Sequence, residues 1–198
     1  MRYSNTQQKI LSAAVSLFAK NGYEAVTVEQ IAREVGMKAP SLYNHFKSKR
    51  EIFQSIMTEM ERRDAVNAAA FGLPPEDGEE EGWSMDLAEG RVSAESFAEY
   101  TKAMFRYWTE DEFASAFRRM LTIEQFRSEE SNALYHQYLG AGPLDYTADL
   151  LGSWEAAVVL YGPMHLLYSV YDGGDTNAYE YLCAHLEEWR KRYEVSAK

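Results

Sequence analysis

The sequence predicts an all-α fold, with a small head of three short helices joined to a larger helical body. Three observations carry that expectation. Apolar residues recur at helical spacing throughout, and strand-like alternation is absent over any useful length. Gly and Pro punctuate the periodic segments at intervals that suit helix ends. The charge is split between the two parts. Residues 1–50 hold eight basic and three acidic side chains, or +5, so the remainder carries −16 of a net charge of −11. A basic head on an acidic body turns the head toward a polyanion, nucleic acid being the obvious class.

The elements follow in order. "QQKILSAAVSLFAKNG" sets Ile10, Ala14, Leu17 and Phe18 on one stripe and stops at Asn21-Gly22. "TVEQIAREVG" opens with Thr27 as an N-cap, and Gln30 three residues on can close a capping box. Val28, Ile31, Ala32 and Val35 make its amphipathic face, and Gly36 ends it. A third short helix starts near Ala39, with Pro40 in the first turn, where the missing N–H costs nothing. Leu42 and Phe46 form its narrow apolar edge. A fourth begins near Ser48 and runs through Phe53, Ile56, Met57 and Met60 to about Ala70.

Residues 72–93 then read as a solvated connection, with paired prolines, several glycines and five acids from Glu76 to Glu81. Further helices are expected over Ala94–Thr109, Glu112–Phe126, Glu129–Leu139, Leu144–Ser153, Trp154–Tyr171 and Thr176–Glu194. Gly162-Pro163 marks a kink inside the fifth of these.

One cysteine, Cys183, among 198 residues cannot staple its own chain. With no apolar signal core and no run of about 18 apolar residues, this leads to the expectation of a soluble cytoplasmic protein. No HExxH, CxxC, phosphate-cradling glycine loop or nucleophile elbow occurs, and the four histidines are scattered. Neither enzyme, metal nor cofactor is expected.

The head is informative. Its three helices are too small to stand alone, but Ile10, Leu17, Phe18, Val28, Ile31, Val35, Leu42 and Phe46 can form one shared core. Only "GMK" separates the second helix from the third, and helix, glycine turn, helix is the helix-turn-helix arrangement. Its second helix enters the DNA major groove. That accounts for the polar crowding of "KAPSLYNHFKSK". Lys47 and Lys49 offer charge to phosphates. Thr27 sits at a helix N-terminus that favours an anion. Tyr43 and His45 can donate to phosphate oxygens. Ser41 and Asn44 can bond base edges, while Ala39 and Pro40 can lie on a thymine methyl. Singly, each has an ordinary structural reading: His45 as a capping or packing residue, Thr27 as a plain cap, the lysines as solvated charges. Together they form a nucleic-acid face.

These residues carry a resemblance. "VTVEQIAREVGMKAPSLYNHFKSKREIF" resembles the DNA-binding head of the TetR family of bacterial transcriptional regulators, and the match runs from Ile10 to about Met57. The resemblance implies that the third helix reads an operator and that Lys49, opening the fourth, holds a phosphate. The matching DNA-facing positions are Lys38, Ala39, Pro40, Ser41, Tyr43, Asn44, His45 and Lys49. It further implies a division into a DNA-binding domain over 1–50 and a ligand-binding, dimerising domain over 51–198. The function implied is a repressor that binds a palindromic operator as a homodimer and is released by a small ligand. An activator, or a regulator without ligand response, is the alternative.

The body's own residues point the same way. "WEAAVVLYGPMHLLYSVY", Val159 included, is apolar nearly all round and calls for cover beyond its own chain. The last helix aligns Tyr179, Leu182, Cys183, Leu186 and Trp189, so the two can pair with their copies in a four-helix interface. Met104, Tyr107, Trp108, Phe117, Met120, Phe126, Tyr135, Tyr138, Trp154, Tyr161, His165 and Tyr168 are the candidate walls of a pocket for a hydrophobic or aromatic ligand.

Overall fold

The computed structural model describes residues 3–70 and 94–196. The connection expected over 72–93 lies outside the described residues. Ten helices are described, and no strand is present among the described residues. They are α1 (Asn5–Asn21), α2 (Val28–Val35), α3 (Ala39–Leu42), α4 (Lys49–Ala70), α5 (Ala94–Glu110), α6 (Glu112–Glu124), α7 (Glu129–Leu139), α8 (Ala141–Leu151), α9 (Trp154–Asp172) and α10 (Ala178–Ser196).

The chain divides into two compact units, one holding 1–66 and 112–135, the other 67–111 and 136–198. In the first, α1 packs on α2 and, most extensively, on α6. Ile10, Leu11, Ala14, Val15 and Phe18 turn inward from α1. They meet Ile31, Leu42, Phe46, Ile52 and Ile56 from the following helices and Phe117, Met120 and Leu121 from α6, all essentially inaccessible. The expected head core is therefore present but larger than periodicity indicates. Leu17 and Val35 are half-buried at its edge. Glu59 of α4 is 2% exposed and tolerates burial because Arg62 and Arg63 bond its carboxylate. The Arg62 hydrogen bond, ahead of the Arg63 one, holds that carboxyl below its ordinary value against the opposing effect of burial.

In the second unit α9 packs on α8, α10 and α5, and α10 packs on α5. Phe105 stacks on Tyr168 at 5.3 Å, and Phe97 lies 6.2 Å from Trp189. α8 begins at Ala141, three residues earlier than expected, with Gly142 and Pro143 inside its first turn. A Cβ at Gly142 would fall 2.3 Å from the Gln137 carbonyl oxygen, so the tight α7–α8 junction excludes any side chain there.

Candidate nucleic-acid interface

The α2–α3 pair is set by backbone bonds that its own sequence supplies. Thr27 Oγ1 accepts from the Gln30 N–H at 3.3 Å, and Gln30 Oε1 accepts from the Thr27 N–H at 2.7 Å. This completes the expected capping box. The Thr27 amide is thereby spent on Gln30. Gly36 ends α2 at φ 77°, ψ 29°, a left-handed conformation that glycine adopts without strain, and Met37 N–H returns to Ala32 O at 2.8 Å. Lys38 is the N-cap of α3, with Pro40 in the first turn. Beyond Leu42 the chain stays tightly turned, with the His45 and Phe46 amides both bonding the Leu42 carbonyl.

The consequence is a division of labour within ten residues. Leu42 and Phe46 are buried at 0% and 2% exposure. Lys38, Pro40, Ser41, Tyr43, Asn44 and Lys47 are exposed, Ala39 and His45 half-buried, and Thr27 exposed. The apolar edge pins a short element whose hydrogen-bonding groups all remain available. Such a surface offers point charge for phosphates together with short amide and hydroxyl groups for base edges.

Lys49 stands apart from the other lysines. Its Nζ donates to the Tyr23 carbonyl at 2.8 Å and the Glu24 carbonyl at 3.4 Å, and lies 4.3 Å from the centre of the Tyr23 ring. It clasps the α1–α2 loop to the start of α4, leaving less of its donor capacity for a phosphate than the sequence implies. Tyr23 is the node of this clasp. Its ring contacts Phe18 and Phe53, and its N–H donates to Glu124 Oε1 at 2.9 Å. Burial raises its phenol above the ordinary value. Glu124, 3% exposed at the end of α6, also faces Arg127 at 3.7 Å. Arg50, beside Lys49, is held by Glu130 of α7. Sequence patterning gives no sign that Glu124 or Glu130 supports the head. No local pattern ties a residue on α6 to a loop 101 positions away.

The expected ligand wall is not assembled as one surface. Phe117 and Met120 fill the core around α1, while Phe126 is 86% exposed. Trp154 at 56% and the exposed His165 also face outward, so these three cannot line an interior pocket. Tyr168 is spent on Phe105. Trp108 lies 5.6 Å from Tyr107 and 6.5 Å from Tyr138, and these keep company in the second unit. There Tyr161 donates its hydroxyl to the Leu139 carbonyl, and Met104 is half-buried. Tyr135 is half-buried at the end of the first unit.

The dimer stripe needs a larger correction. Leu182 and Leu186 are fully buried within the single chain and Trp189 is 6% exposed. α5 covers that side: Phe105 stands 6.4 Å from Tyr179, and Phe97 faces Trp189. Cys183 is half-buried on the same helix. These residues serve the fold of the protomer. In the second unit the large uncovered apolar groups lie chiefly on α9: Trp154, Val158, Val159 at 52% and Leu166 at 65% exposure, with Tyr181 of α10 at 50%. Of the expected interface residues, only Val159 lies on that face. Between α9 and α10 runs a groove of about 330 Å³, bordered by Glu155, Ala156 and Val159 on one side and His185, Glu188, Trp189 and Arg192 on the other.

Among the described residues no three His, Cys, Asp or Glu side chains are grouped to hold a metal, and no helix is long and apolar enough to cross a membrane.

Residues 10–56 match the model of the bacterial regulatory proteins of the tetR family. The IcaR negative transcriptional regulator of the icaADBC biofilm operon of Staphylococcus aureus (strain Newman) is 42% identical over 48 residues, 24% of this chain and 26% of that protein. YerO, an HTH-type transcriptional regulator of Bacillus subtilis (strain 168), is 32% identical over 76 residues, 36% of this chain and 26% of its own. The chain thus spans about a quarter of the length of these curated relatives. Among solved structures, the fatty acid degradation regulator FadR from Bacillus halodurans superposes with a TM-score of 0.65 at 15% identity, covering 96% of this chain and 97% of FadR. SmeT in complex with triclosan gives 0.65 at 14% identity, covering 94% and 90%. At such identities the structural likeness concerns the fold. The tetR likeness in sequence is thus carried by the head, residues 10–56, and the likeness of the rest of the chain to these regulators is one of fold.

Proposed function

From a tetR-like head on a fold shared with such regulators, we propose that the protein is a ligand-responsive transcriptional repressor of the cytoplasm that binds a near-palindromic operator as a homodimer. The observation that carries the reading is the α2–α3 surface, where Lys38, Pro40, Ser41, Tyr43, Asn44 and Lys47 stand exposed over a buried Leu42 and Phe46. One such head covers a few base pairs, too few for useful selectivity. A two-fold copy doubles the reading and sets the half-sites about one helical turn apart. The exposed apolar face of α9 is the surface that would bring the copies together. We place the reading domain at 1–50, with the rest of the chain serving ligand response and self-association.

IcaR is a negative regulator by name, and SmeT was solved in complex with triclosan. The first supports repression and the second a response to a small molecule. The ring faces of Tyr107, Trp108 and Tyr138 suit a hydrophobic or aromatic one. Grouped in the second unit, these three are the wall residues we retain for it. Release requires that the ligand bind one arrangement of the heads better than the one that fits DNA. The Glu124–Tyr23–Lys49 chain of bonds gives α6 a direct hold on the head through which such a preference can act.

The test is fluorescence anisotropy on promoter fragments and on random DNA, across a salt series and with a panel of lipophilic compounds. Sequence-selective binding that falls with salt and with a compound that quenches tryptophan emission is expected. Equal affinity for all fragments would remove the operator reading. Selective binding that no bound compound alters would leave a regulator without ligand response.

A further inference from the structure

α9 carries Pro163 within the helix. The carbonyl of residue 159 normally accepts from the N–H of residue 163, and proline has none. A carbonyl released in this way needs a donor from elsewhere, or water. Here the neighbouring helix supplies one, with His185 Nε2 of α10 lying 3.0 Å from the Val159 oxygen. A carbonyl oxygen can only accept, so Nε2 carries the proton, and the bond persists whether the ring is neutral or charged.

The location gives this bond its meaning. Val159 is half-exposed, on the apolar face of α9 that the described residues leave uncovered. In a lone protomer water can serve its carbonyl. Once a partner covers the face, water is excluded, and an orphan acceptor there would oppose association. We infer that His185 is a positioning residue of the self-association face: its Nε2–H replaces the backbone donor that Pro163 deletes. It thereby holds the proline turn of α9 against α10 and readies the face for burial. The inference rests on the homodimer reading above. The same pair accounts for a histidine that the DNA and ligand surfaces leave unused.

The experiment is a double-mutant cycle on the full chain: wild type, His185→Ala, Pro163→Ala and the double variant, each measured by sedimentation equilibrium and thermal unfolding. Alanine at 163 restores the backbone N–H, so His185 should become dispensable. His185→Ala alone is expected to weaken self-association about tenfold. In the Pro163→Ala background the same change should cost less than about twofold. Equal losses in both backgrounds overturn the inference. If the wild type is a monomer at micromolar concentration, the homodimer reading fails on its own. Thermal midpoints of the four proteins then decide the pairing, coupling supporting it and strict additivity overturning it. Should Pro163→Ala not fold, nitrogen–proton correlation NMR of the wild-type imidazole decides the matter. A protonated Nε2 is required, and the Nδ1–H tautomer overturns the inference.

Discussion

The α2–α3 surface and the outer face of α9 are both exposed, and both are proposed to meet a partner, yet they are built in opposite ways. On α2–α3 the exposed groups are polar and their backbone is over-determined by a capping box, a left-handed glycine and two buried apolar anchors. On α9 the large exposed groups are apolar, Trp154, Val158, Val159 and Leu166, and the backbone carries a proline that removes a bond. The first surface leaves its hydrogen-bonding groups open to a hydrated, charged partner. The second has the acceptor that Pro163 releases already met by His185, and gains its free energy from excluding water. The difference teaches that exposure alone does not name a partner; the chemistry exposed, and what holds it, does.

The contrast breaks most sharply on leucines. Leu186→Ala on α10 empties a fully buried site and is expected to cost about 2–5 kcal/mol of folding stability in a thermal or denaturant titration. Leu166→Glu, on the exposed side of α9, should leave the unfolding of the protomer nearly unchanged yet yield a monomer by sedimentation, by setting a charge on an apolar interface. If Leu166→Glu stays dimeric while Leu186→Ala dissociates without loss of stability, the stripe on α10 is the interface after all.

The proposed DNA face sharpens the contrast from the other side. Asn44→Ala should lose about 1–3 kcal/mol on the preferred operator and little on random DNA, as read by anisotropy. An equal loss on both would show that Asn44 reads no base. The lysines separate next. Lys47→Ala should reduce the salt slope of binding by about one unit and leave stability alone. Lys49→Ala should lower the thermal midpoint as well, because its amine holds the Tyr23 carbonyl. Equal thermal midpoints for wild type and Lys49→Ala would dismiss the clasp.

The smallest effect concerns acid. The folded state holds Glu59 below its ordinary value of 4.5, chiefly through the Arg62 hydrogen bond. Its contribution is thus fully present above 4.5 and is lost as pH falls through the lower folded value. Acid titration followed by circular dichroism should show the wild type losing stability over that window that Glu59→Gln does not lose. Parallel acid limbs for the two proteins would assign the loss to other carboxylates.

What the amino-acid order determined by itself is the set of helices and the head. Thr27 with Gln30, Gly36, Pro40 and the Leu42–Phe46 pair act within a few residues of one another, so their consequences follow from local geometry and appear in the structure as expected. The exposure of Lys38, Ser41, Tyr43, Asn44 and Lys47 is legible for the same reason, since a short helix with two anchors has few ways to turn. The tertiary structure alone decided which face of an apolar helix is covered. The apolar stripe of α10 reads as an interface, but α5 reaches it first with Phe97 and Phe105, and periodicity does not say which neighbour arrives. The tertiary structure alone joined Glu124 to Tyr23 across 101 residues, and His185 to the carbonyl that Pro163 set free. Hydrogen bonds between distant segments leave no periodic trace in sequence. They depend on where packing places the chain, and packing is a property of the whole.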